Sequence, residues 1–190
     1  MNNVKYTYSS VLIKPPKEIC NQIIDWGKKN IADEIIYHDP DKPSYGREDE
    51  IHITALYGIH SSDSKSSRLL LKKVEPFEIK LGKINRFDGS GLFDVVMIEV
   101  QSPALHKLNR KIRDNIPHTN KFKVYKPHIT IAYVKHGEGK QYIGEKPFAG
   151  ESIKVDHVYF SSKVGKKEKI SLQESIGSFK NFFSESICLN

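Results

Sequence analysis

Ile51-His52-Ile53-Thr54-Ala55-Leu56-Tyr57 and Pro127-His128-Ile129-Thr130-Ile131-Ala132-Tyr133 are the two stretches on which the reading of this chain turns. Each carries His-Ile-Thr in an aliphatic segment, with a tyrosine five positions after the histidine. Strand side chains alternate between faces, so each His and its Thr share one face while Ile53 and Ile129 point to the packed side. By the same alternation Tyr57 and Tyr133 fall opposite the histidines and read as packing residues. The chain has eight His and four Thr in 190 residues. Chance placement yields only about 0.17 His-x-Thr spacings in such a chain, so two copies with matching flanks form a repeat with a purpose.

Working outward, Tyr6 to Ile13 reads as a first strand, and Pro15-Pro16 introduces a helix with Ile19, Ile23 and Trp26 on one face, ending at Gly27 or Asn30. Residues 38–50, with two prolines, a glycine and many charges, form a loop that delivers the chain into the first motif strand. Asp63 or Ser64 caps a short helix through Leu69 to Leu71. Phe77 to Ile84 and Leu92 to Val100 then form a hairpin around Asp88-Gly89-Ser90-Gly91. Ser102-Pro103 is a strong helix start, with Leu105, Leu108 and Ile112 as its apolar face and an end before Pro117. Strands are expected at His128 to Val134, Ile153 to Phe160 and about Lys169 to Leu172. Hairpins with only two substantial helices point to an α+β fold rather than a doubly wound parallel sheet. One domain over residues 1–173 is expected, followed by a tail, 174–190, whose Ile176, Phe179 and Phe183 suit either a docked terminal helix or a frayed end.

Composition narrows the function. With 38% hydrophobic and 28% charged residues the chain is a folded protein, not a disordered one. The formal net charge of +7 favours an anionic partner such as a nucleotide or RNA, although the lysines are dispersed and form no nucleic-acid arm. The apolar runs are far shorter than a membrane span and the polar start carries no secretory signal, so the expected compartment is the cytoplasm. Cys20 and Cys188 suggest neither a disulfide framework nor a zinc site.

Two imidazoles on a shared face suit proton traffic near neutral pH, one taking a proton from an attacking oxygen and the other giving one to a leaving oxygen. Two hydroxyls beside them can hold the non-bridging oxygens of a phosphate. No acidic cluster accompanies the motifs, so neither a metal nor any other cofactor is expected. His60 and His136, eight residues after each motif histidine, complete no metal-ligand set, and His38, His106 and His157 read as surface or helix residues.

The paired His-hydrophobic-Thr motifs, together with the first strand and helix, the Phe93 to Val100 strand, the Ser102 to Ile112 helix and Lys126-Pro127-His128, resemble the two-histidine (2H) phosphoesterase superfamily. The likeness is to its bacterial 2'-5' RNA ligase-like and cyclic-phosphodiesterase members and covers roughly residues 4–172. Gly46 to His60 and Pro117-His118-Thr119-Asn120 look like a phage- and bacteria-borne subgroup, whose relatives include phage enzymes that destroy cyclic-nucleotide defence signals. The resemblance implies a bilobal fold, two antiparallel sheets forming a concave cleft with helices outside, and a catalytic set of His52, Thr54, His128 and Thr130. It implies a metal-independent phosphodiesterase acting on 2'-5' or 2',3'-cyclic phosphate bonds of RNA, oligonucleotides or cyclic nucleotides, in the cytoplasm of a bacterium or of a phage's host. The alternatives are RNA ligation and a sequestering module that binds nucleotides without turnover.

For the rest of the substrate the sequence offers Tyr6 and Tyr8, one of which can stack on a base, and His118 in the loop before the second motif. Lys126 and Lys135 flank that motif and can attract phosphates. No membrane contact is expected, and the protein is expected to be a monomer.

Overall fold

Ile53 and Ile129, the central residues of the two motifs, face each other as an antiparallel pair and are the one rung that joins the two halves of the sheet. The computed structural model describes residues 6–39 and 45–173, so the expected tail helix lies outside the described residues. The elements run β1 (Ser9–Ile13), α1 (Lys17–Asn30), β2 (Ile53–Ile59), α2 (Lys65–Leu71), β3 (Phe77–Asp88), β4 (Phe93–Gln101), α3 (Pro103–Asn115), β5 (His128–Lys135), β6 (Ser152–Val155), β7 (His157–Ser161) and β8 (Lys167–Ser171). Short 3-10 turns lie at Asp33–Ile35 and Glu138–Tyr142.

The fold is α+β, and the strands form one eight-stranded sheet in the order β6-β3-β4-β5-β2-β1-β7-β8. This corrects the expectation of two separate sheets: the Ile53–Ile129 rung makes them continuous. A second correction concerns residues 153–160, expected as a single strand. Asp156 divides them into β6, which pairs with β3, and β7, which pairs with β1 in the other half. With one residue joining strands so far apart in the order, the sheet must curl until those regions meet at one end.

Each half repeats a strand–helix–motif-strand unit. β1, α1 and β2 form the first, β4, α3 and β5 the second, and in each the two strands are antiparallel neighbours. The helices form for the expected local reasons. Ser102 accepts a hydrogen bond from the Leu105 amide with Pro103 at the first helical position, and Leu105, Leu108 and Ile112 are buried. In α1, Ile23 is buried and Ile19 and Trp26 pack at the core's edge.

A β-bulge sits in each motif strand, and it changes which side chains share a face. Leu12 pairs with Thr54 and Val11 with Leu56, leaving Ala55 as the extra residue. Met97 pairs with Thr130 and Val96 with Ala132, leaving Ile131 as its counterpart. Past each bulge the alternation is reset. Ser10 pairs with Tyr57 and Val95 with Tyr133, which puts both tyrosines on the face of the motif His and Thr. The expectation that Tyr57 and Tyr133 lie opposite the histidines is therefore overturned, because strict alternation holds only in an uninterrupted strand.

The Ala55 and Ile131 bulges are each held by the helix of the other repeat, while a further register shift in β2 falls at Gly58. The buried Asn109 of α3 donates from Nδ2 to the Ala55 carbonyl at 2.7 Å. The α1 glycine Gly27 lets that helix approach β5 so closely that a Cβ there would lie 2.9 Å from Ile131 Cγ2. The Ile131 carbonyl accepts from the Glu48 amide at 2.9 Å.

Replacing Asn109 with Ala leaves the Ala55 carbonyl buried without a partner. Urea unfolding of Asn109→Ala should show a loss of about 1–3 kcal/mol with an unchanged slope, while Lys107→Ala on the exposed side of the same helix should stay within about 0.5 kcal/mol of the parent.

Candidate active site

His52 lies just before β2 and His128 opens β5, both half-buried. From the Ile53–Ile129 pair, one step along each antiparallel strand sets His52 across from Thr130 and His128 across from Thr54. The two motifs thus interdigitate, each imidazole neighbouring the hydroxyl of the other strand. The imidazoles themselves are diagonal neighbours, a relation that places backbones about 7–8 Å apart. That separation lets one phosphate be reached by both rings.

Both rings are oriented in the same way. His52 Nδ1 lies 2.6 Å from the Glu50 carbonyl oxygen, and His128 Nδ1 lies 2.8 Å from that of Lys126. A carbonyl only accepts, so Nδ1 carries the proton in each ring and donates it two residues back. Each Nε2 is left as the atom available for proton exchange. Main-chain acceptors leave no trace in residue identity, so this feature was invisible in the sequence.

The surroundings of the two histidines differ. Continuing the Ile13–Ile53 pairing sets Lys14 across from His52. Lys14 bonds Glu50 at 2.6 Å, Lys167 bonds the same carboxylate, and Lys14 also lies over the Tyr159 ring. Burial pushes the Glu50 carboxyl up, but the two lysines hold it down at about 2. Glu50 therefore stays charged and ties down the backbone whose carbonyl orients His52. Burial raises Glu48, which the charge of His52 partly offsets. On the other side Glu99 is the cross-strand partner of His128, and the Phe87 ring stands edge-on to that histidine with centroids 4.8 Å apart. Burial lowers the His128 pKa below the ordinary imidazole value, and the nearby His52 charge lowers it further. Tyr125 donates to the Thr54 carbonyl at 2.9 Å, tying the approach to the second motif onto the first motif strand, and burial pushes its hydroxyl pKa up.

The other sequence-derived candidates separate. Tyr8 contacts Tyr57 edge-to-face at 5.9 Å and packs beside His60, forming an aromatic group on the cleft face past Thr54. Tyr6 is exposed and its amide donates to the Lys163 carbonyl, and no ring contact to that group is present among the described residues. His118 bridges Ile59 and so shares the face of that buried residue, away from Thr54, which corrects the expectation that it reaches the cleft. Lys126 extends over Phe87 at 6.0 Å and is beside the site. Lys135 pairs with Phe93 at the far end of β5, seven residues and roughly 20 Å from His128, too distant to join it. Lys14, Glu48, Glu50, Phe87, Glu99 and Tyr125 were not anticipated. Lys14 and Glu99 emerge from the strand register, and the others from tertiary contacts that sequence spacing does not show.

Among the described residues Asp88, Asp94 and His136 are a trio close enough to share a metal. Arg86 already bonds Asp94 Oδ1 at 2.7 Å and the amides of Gly137 and Gly139 bond Oδ2, so this buried carboxylate fastens the β3–β4 hairpin to the chain after β5.

The family model of the 2'-5' RNA ligase superfamily matches residues 15–165. The chain belongs to that superfamily. No curated protein matches it. Among solved structures, TT0787 of Thermus thermophilus superposes with a TM-score of 0.61 at 16% identity, covering 89% of this chain and all of that one. E. coli LigT complexed with 3'-AMP gives 0.57 at 21% identity, covering 89% and 96%. Kluyveromyces marxianus Usb1 with uridine monophosphate gives 0.54 at 10% identity, covering 87% and 98%. These likenesses show that the chain shares its fold with those three proteins over 87–89% of its length.

The two histidines are coupled, which NMR titration can read. His128 should titrate below the ordinary imidazole value, and His52→Ala, by removing a like charge, should move it upward without restoring the free-peptide value, since burial remains.

Proposed function

We propose that this member of the 2'-5' RNA ligase superfamily is a phosphodiesterase that works through its two motif histidines without a metal ion. The observation that carries the reading is the duplicated arrangement of an imidazole fixed through Nδ1, with Nε2 free, beside the threonine of the opposite strand. His128, whose neutral form burial favours, takes the proton from the attacking hydroxyl or water through Nε2 as the new P–O bond forms. His52, with the Glu48 carboxylate near it, gives its Nε2 proton to the leaving oxygen as the old P–O bond breaks. Thr54 and Thr130 donate to the non-bridging oxygens, where charge grows in the transition state.

The substrates that suit this chemistry are 2'-5' or 2',3'-cyclic phosphate bonds in RNA, oligonucleotides or cyclic nucleotide signals, the last consistent with phage counter-defence. Two lysines around one carboxylate beside His52 favour an anionic substrate. The nucleotides in the LigT and Usb1 structures support the same ligand class. Catalysis is favoured over sequestration because binding a phosphate needs no pair of proton-transfer groups held in matching orientation.

A panel of linear and cyclic oligonucleotides, followed by mass spectrometry in EDTA, tests this. Turnover should survive chelation with a bell-shaped pH profile around neutrality. His52→Ala and His128→Ala should each lower kcat about 10²- to 10⁴-fold, the double variant should be little worse, and Thr54→Val or Thr130→Val should cost less. Loss of activity in EDTA restored by one divalent ion overturns the mechanism; tight binding with no turnover across the panel makes the protein a sequestering module.

A further inference from the structure

A groove of about 400 Å³ opens beside His128 on the cleft face. Its walls include Asn85, Phe87, Glu99, His106 and Tyr125, and buried Met97 closes its floor. Two cations also line it: Arg86, which is tied to Asp94, and Lys126, which lies over the Phe87 ring. One polar feature in it is built with unusual definition. Asn85 accepts from the Arg86 amide through Oδ1 at 2.8 Å and donates through Nδ2 to Glu99 Oε1 at 2.6 Å. The first bond fixes which end of the amide is the donor, and the second fixes the carboxylate. Among the described residues Glu99 Oε2 takes no hydrogen bond, and Oε1 has a further lone pair. A carboxylate is thus held in a groove that aromatic rings also line, across from the histidine proposed to handle the attacking oxygen, with both oxygens able to accept.

We propose that this groove is a nucleoside pocket selective for guanine, with Glu99 accepting from the base and Asn85 positioning it. The inference rests on the phosphodiesterase reading of the same cleft. Guanine presents two adjacent donors, N1–H and the N2 amino group, spaced to meet the two oxygens of one carboxylate. Adenine and cytosine offer one amino group next to a ring nitrogen that is itself an acceptor and repels a carboxylate. Uracil offers one N–H flanked by two carbonyls. The rings of Phe87, Tyr125 and His106 supply apolar faces for any base, so they add affinity while Glu99 adds choice. With the lysines on the His52 side, the cleft gains a direction: guanosine on the Glu99 side, further phosphate on the Lys14 and Lys167 side.

Titration calorimetry with the 3'-monophosphates of guanosine, inosine, adenosine, cytidine and uridine, plus that of 2'-deoxyguanosine, tests the pocket. Guanosine should bind about 10- to 100-fold tighter than adenosine, cytidine and uridine, with inosine between because it keeps N1–H and lacks the amino group. Deoxyguanosine should match guanosine. Glu99→Gln should abolish the guanine preference while leaving adenosine binding within about threefold and the melting temperature near the parent's. Asn85→Ala should weaken the preference in the same direction by less. Equal binding of all bases overturns the pocket alone. Weaker binding of deoxyguanosine than of guanosine, a difference that disappears in Glu99→Gln, shows Glu99 to be a ribose contact and also overturns it. Failure of every nucleotide to bind removes the phosphodiesterase reading along with it.

Discussion

The bond from Asn109 to the Ala55 carbonyl is small, yet the arrangement of the cleft depends on the feature that it stabilises. Ala55 is the extra residue of a bulge, and an unpaired backbone carbonyl in a buried strand carries a penalty unless something takes it. A helix from the other half of the molecule supplies the partner. In the second motif strand the Ile131 bulge meets the opposing helix at a glycine and gives its carbonyl to the segment that precedes the first motif. The repeat is thus reciprocal: each half stabilises the irregularity in the other, so neither motif strand has its native shape alone.

The bulges also explain how a sheet joined by one rung serves as a site. Beyond Ile53 and Ile129 the motif strands find other partners. Glu48 bonds β5 at its bulge and Gly46 just beyond it, and Pro117 and Thr119 bond the chain of β2 and its end beyond the Ala55 bulge. These segments satisfy the backbone where the motif strands part, so the separation leaves few unmet donors and acceptors. It also keeps the histidine–threonine pairs in register only at the centre. Past them the reset alternation brings Tyr57 and Tyr133 to the same face, extending the cleft on both sides with aromatic surface.

Much of this fold was legible in the sequence because its signals are local. Ser102-Pro103, the Ile19, Ile23 and Trp26 stripe, and the Asp88 to Gly91 turn each act within a few residues, and the helices and the hairpin follow from them. What escaped was non-local. Nothing in Ile153 to Phe160 tells a reader that Asp156 sends the two ends to distant strands, since both ends are apolar and β-branched or aromatic. The bulges escaped for a similar reason: Ala55 and Ile131 are ordinary strand residues, and only their partners' register shows them to be surplus. His118 illustrates the cost. Its place in a loop before the motif suggested the cleft, but its pairing with Ile59 turns it to the core side.

Two identical tripeptides need not do identical work, and here the difference between them comes from neighbours rather than from the motif. His52 and His128 share the same main-chain restraint, so their tautomers and orientations match. Around His52 the charges are lysines gathered on Glu50, which favour an anion nearby. Around His128 there are the Phe87 ring with Lys126 over it, a carboxylate held by an amide, and burial that disfavours a second positive charge. A symmetric site would let a phosphodiester bind in either direction with equal energy, with neither histidine committed to the attacking or the leaving oxygen. On the proposed phosphodiesterase reading, unequal flanks remove that degeneracy, because the Glu99 carboxylate stands on one side and the Lys14–Glu50–Lys167 group on the other. In that reading the strand repeat supplies the paired proton-transfer groups, and the divergence of the residues beside it gives the reaction its direction.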